Sequence, residues 1–142
     1  MVVEESVLIL APPEKVWKTF TDLSCWEDWN TVLEDVSARD HNIEKGGTFR
    51  CSIRPFFFPV RFQPVIEEVI PREKIVWTGS KYGISSRHEF IFENDESGVL
   101  LVSRETFSGS AVETVPALFP EKKIRELTRL FLKDLKEAAE SV

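Results

Sequence analysis

Residues 84–109 read ISSRHEFIFENDESGVLLVSRETFSG, a pattern that predicts a β-hairpin with two titratable groups on its apolar face. Successive side chains of a strand point to opposite faces, so alternate residues share one side. On the apolar side these are Ile84, Ser86, His88, Phe90 and Phe92, and then Val99, Leu101, Ser103, Glu105 and Phe107. A loop at 95–98 sets His88 opposite Glu105, whereas a slip of one residue sets Arg104 there. The loop therefore decides whether an imidazole faces a carboxylate.

The last segment, 121–142, predicts a long amphipathic helix. Its apolar residues recur at steps of three and four, as Ile124, Leu127, Phe131, Leu135, Ala138 and Val142. Charged residues, Asp134 among them, occupy the remaining positions, as an amphipathic helix requires. At about 1.5 Å per residue such a helix is about 33 Å long, which is enough to cover a whole antiparallel sheet.

The segments between the N-terminus and the hairpin predict one strand, two short helices and further strands. The first strand is predicted at 2–10, and the helices start near Pro12 and Asp22. Turn residues then separate strands at 32–39, 48–54, 60–70 and 75–79. Pro64 lacks a backbone N–H, so strand 60–70 is expected at an edge or bulged. The order predicts an α+β fold in which a curved antiparallel sheet of about seven strands wraps around the C-terminal helix.

The totals fit a single domain, 1–142, without a membrane span. The chain has 142 residues, 42% of them hydrophobic, with 11 Phe and 4 Trp. A net charge of −6 opposes binding to nucleic acids and anionic membranes, which require basic patches. No stretch reaches the about 18 apolar residues of a membrane span, which predicts no stable membrane insertion. The acidic N-terminus lacks the basic residues of a signal peptide, so a cytoplasmic protein is expected.

Signals for metals and cofactors are weak. Cys25 and Cys51 lie in apolar stretches and are predicted to be reduced core residues, not a disulfide framework. His41 and His88 are far apart and have no CxxC or HExxH pattern beside them, so no metal site is expected. The chain also lacks a Gly-rich phosphate loop, and no cofactor is expected.

Four stretches resemble the START-like or Bet v 1-like (SRPBCC) superfamily. They are APPEKVW at 11–17, DLSCWEDWN at 22–30, IPREKIVWTG at 70–79 and the hairpin itself. The polyketide cyclase/dehydrase and lipid-transport group is the most similar, and the resemblance spans nearly the whole chain. It implies a helix-grip fold around a hydrophobic cavity that takes lipids, sterols, polyketides or similar molecules. It implies no catalytic residues, because these differ among the members that are enzymes.

Aromatic residues supply the predicted wall of this cavity, although each of them also suits a filled core. The predicted wall consists of Trp26, Trp29, Phe49, Trp77, Phe90 and Phe107, with Leu127 and Phe131 from the helix. Tyr82, beside Gly79 and Gly83, is a predicted rim, and the predicted opposite lip consists of Leu118, Phe119 and Pro120.

Three consecutive phenylalanines stand between prolines at 55–59. Phe56, Phe57 and Phe58 cannot all point inward from one strand, because neighbouring side chains alternate between faces. At least one ring should therefore reach the surface or the mouth of a cavity. A portal loop and a binding patch for a protein partner explain the pattern equally well.

His88 and Glu105 are the candidate polar residues of the site. A lone histidine on an apolar strand face is a core residue with satisfied nitrogens, a ligand contact or a proton-transfer group. Carboxylates are rarely buried without a partner, so an inward Glu105 implies His88, an arginine, a ligand or water beside it. Otherwise the hairpin slips and Glu105 faces solvent. As a facing pair, each residue favours the charged form of the other, so both are expected to stay charged near neutrality.

Three functions remain open at this point. The first is binding of a small hydrophobic molecule, with His88 and Glu105 as polar anchors in an apolar pocket. The second is a cyclase or dehydratase-type enzyme that uses the same pair as acid and base. The third is a protein-interaction module, co-chaperone-like or regulatory, with residues 56–58 as the contact. Whether the protein forms oligomers is also open.

Overall fold

A computed structural model describes residues 1–114 and 116–142, except for the side chain of residue 118. Its strands are β1 Val2–Ile9, β2 Glu34–Ala38, β3 Phe49–Ile53, β4 Val60–Phe62, β5 Val65–Ile70, β6 Lys74–Lys81, β7 Ile84–Asn94 and β8 Val99–Ser108. Its α-helices are α1 Pro13–Thr21, α2 Trp26–Trp29, α3 Ser110–Thr114 and α4 Glu121–Glu140. Short 3-10 turns at Leu23–Cys25 and Pro116–Leu118 precede α2 and α4.

The strands form two antiparallel sheets that, together with the helices, enclose the core. The larger sheet has the order β1-β8-β7-β6-β5, and the smaller has the order β2-β3-β4. Helix α4 packs along β1 and also contacts α1 and α2. The predicted α+β architecture, with a curved antiparallel sheet around a long C-terminal helix, is confirmed.

The predicted strand 60–70 is divided in two, which raises the number of strands from seven to eight in the described residues. Strand β4 ends at Phe62 and pairs with β3, whereas β5 begins at Val65 and pairs with β6. Pro64 stands between them because it cannot donate a hydrogen bond to a ladder. Its carbonyl instead accepts a hydrogen bond from Thr48 Oγ1 at 2.7 Å, beside an isolated bridge between Thr48 and Val65.

The β7–β8 hairpin has the register that a loop at 95–98 predicts. His88 lies directly opposite Glu105. The loop is closed by the Asp95 backbone N–H, which donates to the Gly98 carbonyl at 2.9 Å. The Asp95 carboxylate also accepts hydrogen bonds from the backbone of Ser97 and Gly98, at 2.7 and 2.9 Å. These local bonds set the pairing of the whole hairpin, because a register is fixed by its turn.

The core is an aromatic cluster centred on Phe20 of α1. This side chain is fully buried, and its ring centroid lies 4.8–6.2 Å from those of Trp26, Trp77, Phe90, Phe92 and Phe131. The cluster joins α1, α2 and α4 to the concave face of the larger sheet. Most of the aromatic residues of the chain therefore serve packing, as their size favours.

Helix α4 differs from its predicted pattern in two respects. It ends at Glu140, so Val142 lies beyond the helix and is fully exposed. Asp134, expected on the polar side, is buried and accepts hydrogen bonds from the backbone N–H and the hydroxyl of Thr31, at 2.8 and 2.7 Å. The two Thr31 donors, which follow α2, need an acceptor because they are partly buried, and Asp134 of α4 supplies it.

The two cysteines have different surroundings. Cys51 is buried on β3, and burial raises the pKa of its thiol. Cys25, predicted in the core, is instead exposed, because its 3-10 turn is capped by the Asp22 side chain at the surface. Its thiol donates to the Asp22 carboxylate at 3.3 Å, which raises the pKa of Cys25.

Within residues 1–114 and 116–142, none of the helices combines the length and the hydrophobicity needed to cross a bilayer.

Candidate functional site

A cavity of about 230 Å³ lies between α4, the β3–β4 hairpin and strands β6 to β8. Its lining is mostly aliphatic and aromatic. Ten of the twelve residues predicted to contact a ligand line it, namely Phe49, Trp77, Tyr82, His88, Phe90, Glu105, Phe107, Phe119, Leu127 and Phe131. The alternation along the strands and the periodicity of α4 therefore bring these ten side chains to one cavity, and their contact with a ligand stays a prediction.

Trp26 and Trp29 do not line the cavity, contrary to the sequence-based prediction. Trp26 is fully buried behind the wall, where its indole N–H donates to the Phe20 carbonyl at 2.7 Å. Trp29 packs against Trp26 and Phe131, with ring centroids 5.7 and 5.4 Å away. Both rings thus fill the space between α2 and α4. The Trp26 indole has a hydrogen-bond partner there, whereas the buried Trp29 indole N–H has none among the described residues.

Several lining residues were not predicted as site residues. The apolar ones include Ile53, Val60, Phe62, Ile84 and Ile124. Ser86 and Ser103 also line the cavity, and they share the inward face with His88 and Glu105. The alternation of side chains along the strands already placed both serines on the inward face. They were not predicted as site residues because a small polar side chain does not by itself indicate a site.

Four polar side chains cross β7 and β8 in a continuous line, which we call the polar row. Ser103 Oγ lies 2.7 Å from His88 Nε2, and His88 Nδ1 lies 3.6 Å from Glu105 Oε2. Ser86 Oγ donates to the same Glu105 oxygen at 2.7 Å. Ser103 is fully buried, and the His88 and Glu105 side chains are 13% and 18% exposed. The row is therefore a polar strip on the β7–β8 wall, and the other polar lining residues, Gln63, Ser80, Lys81 and Thr128, lie on other segments.

Burial lowers the pKa of His88, and the opposing effect of Glu105 is the smaller one. The imidazole stacks on Phe90 with ring centroids 4.1 Å apart and meets the edge of Trp77 at 5.6 Å. These rings remove the water that would solvate an imidazolium ion. The expectation that the pair keeps both groups charged is thus wrong for His88, which is neutral at neutral pH.

A neutral His88 has one ring proton, and the polar row indicates where it lies. With the proton on Nδ1, the N–H faces the Glu105 carboxylate and Nε2 accepts a hydrogen bond from the Ser103 hydroxyl. The other tautomer would direct a nitrogen lone pair at the carboxylate. The distance of 3.6 Å between Nδ1 and Oε2 exceeds that of a direct hydrogen bond, so the attraction there is electrostatic.

The mouth of the cavity is formed by three segments. Phe56 of the β3–β4 loop stands on one side, Phe119 and Pro120 stand on another, and the turn at Tyr82 and Gly83 completes the rim. Both turn residues have positive φ, 55° and 74°, as a two-residue hairpin loop requires. The Tyr82 ring is 74% exposed, and Lys81 Nζ lies 5.2 Å from its centroid. The mouth is thus aromatic, with a cation beside it.

The arrangement supplies hydrogen-bonding groups more readily than it supplies metal ligands. Glu105 is an acceptor, and the neutral His88 can accept a proton at Nε2 when Ser103 turns away. Among the described residues, no group of three or more His, Cys, Asp and Glu is placed to hold a metal ion. The chemistry at hand is polar anchoring or proton transfer at one wall of an apolar cavity.

A match to a known family agrees with this geometry. The family described as "Polyketide cyclase / dehydrase and lipid transport" matches residues 1–140. The chain belongs to this family. The resemblance to the START-like and Bet v 1-like superfamily is thereby confirmed. No curated protein matches this family member in sequence.

Solved structures share the fold at low identity. TTHA0849 from Thermus thermophilus is 18% identical, with a TM-score of 0.80 over 98% of this chain and 97% of that one. BexL, a di-domain ARO/CYC protein of the BE-7585A biosynthetic pathway, is 18% identical, with a TM-score of 0.75 over 100% of this chain and 50% of BexL. Ara h 8.0201 is 12% identical, with a TM-score of 0.77 over 98% and 97%. These likenesses show the fold of the polyketide cyclase/dehydrase and lipid transport family, while the roles of His88 and Glu105 stay predictions.

Proposed function

We propose that the protein binds a small, largely apolar molecule in the cavity and anchors a hydroxyl or N–H group of that molecule on Glu105. The observation that carries the proposal is the polar row, four linked polar side chains on the β7–β8 wall of a mostly apolar cavity. Ligand pockets combine these features, since apolar lining supplies affinity and a few placed polar groups fix orientation.

The size of the cavity favours a compact ligand. Its volume of about 230 Å³ lies below the about 300–1,000 Å³ of pockets that take drug-sized molecules. Phe49, Trp77 and Phe90 present ring faces and edges to the interior, which suits a flat ring system. A larger molecule would leave part of itself in the mouth between Phe56 and Tyr82.

The charges of the row select the polar group of the ligand. Glu105 is acceptor-only when ionised, so it favours a donor such as a phenolic hydroxyl. A carboxylate at the same position would face Glu105 with like charge, and the neutral His88 offers no compensating cation. The site should therefore prefer phenols over carboxylic acids of the same skeleton.

Three naphthalene probes of nearly equal size test this preference by isothermal titration calorimetry. 2-Naphthol has a donor, 2-methoxynaphthalene lacks one, and 2-naphthoate carries a negative charge. We expect naphthol to bind most tightly and Glu105→Gln to weaken it by about fivefold, because a charge-assisted hydrogen bond is roughly twice as strong as a neutral one. Glu105→Gln should leave the affinity for methoxynaphthalene unchanged.

Glu89→Gln is the matched control. Glu89 is on the outer face of β7, its side chain is also 18% exposed, and it pairs with Arg87 and Arg104. This variant changes the same charge without touching the cavity, so naphthol affinity should be that of the wild type. Equal affinity of wild type and Glu105→Gln for naphthol would overturn the anchoring role.

A second function, proton transfer at an enolisable substrate, is favoured by the state of His88. The residue is neutral, oriented by Ser103 and Glu105, and able to act as a base at neutral pH. Benzoylacetone, a small β-diketone, is a suitable probe. Exchange of its central C–H protons with deuterium oxide, followed by NMR, should be faster with wild type than with His88→Gln. Identical exchange rates would contradict this second proposal.

A further inference from the structure

Residues 56–58, which we call the phenylalanine tip, form an exposed apolar protrusion. Phe57 is fully exposed, and Phe56 and Phe58 are 44% and 57% exposed. The rings of Phe56 and Phe58 stack with centroids 5.4 Å apart and an interplanar angle of 22°. Three rings held outward between two prolines bury little surface in the protein itself, and exposed apolar clusters of this kind mark interaction sites.

The phenylalanine tip is continuous with the cavity. It occupies the loop of the β3–β4 hairpin, whose Ile53 and Val60 pair across the ladder and both line the cavity. Phe56 belongs to the tip and to the lining at once. A path of apolar side chains thus leads from the interior to the most exposed ring of the protein.

The outer face of the same hairpin is basic. Arg50 lies on β3 two residues before Ser52, and Arg54 directly follows the strand. Arg61 lies opposite Ser52 on β4, and Lys81 Nζ donates to the Arg61 carbonyl. Two carboxylates share this surface, Glu34, which pairs with Arg54 at 2.8 Å, and Asp35. Arg61 and Lys81 form no ion pair with the described residues. Four basic against two acidic groups make this surface locally positive in a chain of net charge −6.

We propose that the phenylalanine tip docks the protein on an anionic lipid surface, with the cavity mouth facing the bilayer. Aromatic side chains flanked by Arg and Lys suit the boundary between headgroups and acyl chains, which lies about 5–10 Å deep. A convex tip at a single loop inserts into such a boundary, whereas a flat or grooved apolar face would suit a folded partner. The overall acidity opposes membranes in general, and the local charge restricts docking to this one face.

Vesicle flotation measures the docking directly, with vesicles of phosphatidylcholine alone and with added phosphatidylglycerol. We expect wild type to float with the anionic vesicles and Phe57→Ser to lower the partition coefficient by about tenfold. Phe57 makes no buried contacts, so the variant should keep its melting temperature. Leu10→Ser is the matched control and should float like wild type. Leu10 is also exposed, at 56%, but it lies beside the 95–98 loop, at the end of the β7–β8 hairpin that is away from the cavity mouth.

Charge is tested separately. Arg61→Gln should lower partition into anionic vesicles by about fivefold and leave partition into phosphatidylcholine vesicles unchanged, since each basic side chain near an anionic surface contributes about 1 kcal/mol. Raised salt should reproduce this loss in wild type. A partition coefficient that neither Phe57→Ser nor Arg61→Gln lowers would overturn the proposal. A wild-type dimer that Phe57→Ser converts to a monomer, without vesicle binding, would also overturn it and assign the tip to self-association.

A fluorescent label reports the depth of the tip. Phe57→Cys in a Cys25→Ser background, labelled with an environment-sensitive dye, should brighten and shift to the blue on adding anionic vesicles. The same dye on Cys25 of the wild type is the control, because that thiol is exposed and Cys51 is buried. An equal response at both positions would contradict docking through the tip. None of these measurements requires a cavity ligand, so their failure is distinct from failure of the proposed ligand binding.

Discussion

The hydroxyl of Ser103 lies 2.7 Å from Nε2 of His88 and is fully buried on the neighbouring strand. Ser103 itself stands opposite Phe90, so the contact with His88 runs diagonally across β7 and β8. This hydrogen bond satisfies the inner nitrogen of the imidazole and leaves the other nitrogen facing Glu105. It therefore orients the imidazole, while the carboxylate of Glu105 favours the tautomer with the proton on Nδ1.

Replacing Ser103 should destabilise the fold more than the small size of its side chain would suggest. Ser103→Ala leaves His88 Nε2 buried without a partner, and we expect the free energy of unfolding to fall by about 1–2 kcal/mol. Urea denaturation measures the loss. Ser85→Ala is the control, because Ser85 is exposed on the other face of β7 and should change stability by less than about 0.5 kcal/mol. Similar losses in the two variants would show that the buried hydrogen bond contributes nothing specific.

The lowered pKa of His88 predicts a loss of stability in mild acid. The unfolded chain binds a proton near the ordinary histidine value of 6.5, whereas the folded chain resists it. Stability is therefore fully present above pH 6.5 and decreases as the pH falls toward the folded pKa, by at most about 1.4 kcal/mol per pH unit. His88→Gln should remove this slope.

Urea denaturation at pH 7, 6 and 5 separates this effect from that of the carboxylates. Glu5 and Asp22 have pKa values below their ordinary 4.5 and 3.8, so they affect stability only in stronger acid. The prediction fails if wild type and His88→Gln lose stability equally between pH 7 and pH 5.

Asp134 should link α4 to the segment after α2. Removal of the carboxylate in Asp134→Ala leaves the backbone N–H and the hydroxyl of Thr31 without their acceptor, at an expected loss of about 2 kcal/mol. Thr31→Val removes only the hydroxyl. A double-mutant cycle should give a coupling of about 1 kcal/mol between the two positions. Additive losses would show that the Thr31 hydroxyl contributes nothing through Asp134.

Gly109 should be intolerant of any side chain. Its φ is 109°, and an added Cβ would lie 2.4 Å from the Gly83 carbonyl oxygen in the turn at the cavity mouth. Gly46 has a φ of 83° with open space around it, so it isolates the backbone cost. We expect Gly46→Ala to lose about 1 kcal/mol and Gly109→Ala about 3 kcal/mol, by thermal unfolding. Equal losses would mean that the turn yields to the added methyl group.

The parts of the fold that local sequence determines were predictable. The loop at 95–98 and the alternation along β7 and β8 lie within one short segment, and their register follows from it. The periodicity of α4 likewise predicts a helix with Leu127 and Phe131 toward the sheet. The division into two sheets was not predictable, because β1 pairs with β8 from the far end of the chain and Pro64 indicates a break without indicating new partners.

The sequence predicted which side chains of the site share a face of the sheet, but not how deeply each of them is buried. Alternation placed His88 and Glu105 on one side, yet it does not say how closely Phe90 and Trp77 surround the imidazole. The close packing of these rings makes the effect of burial on the His88 pKa larger than that of the Glu105 carboxylate. It therefore sets the direction of the His88 pKa shift. The prediction for Trp26 and Trp29 was wrong for a related reason, since two residues on one face of a short helix do not reveal whether a cavity or a second helix covers them.

The break at Pro64 has a mechanical consequence. Beside it, an isolated bridge between Thr48 and Val65 joins the two sheets in place of a continuous ladder. The β3–β4 hairpin is thus joined to the larger sheet by few backbone hydrogen bonds at this line, while Phe49 at the start of β3 is packed in the aromatic core against Trp26 and Trp77. Amides at this line should exchange with solvent by local opening, and those of β7 and β8 only by global unfolding. If the cavity binds the proposed ligand, we expect that ligand to enter by such local opening near residues 54–59 and not by unfolding of the domain.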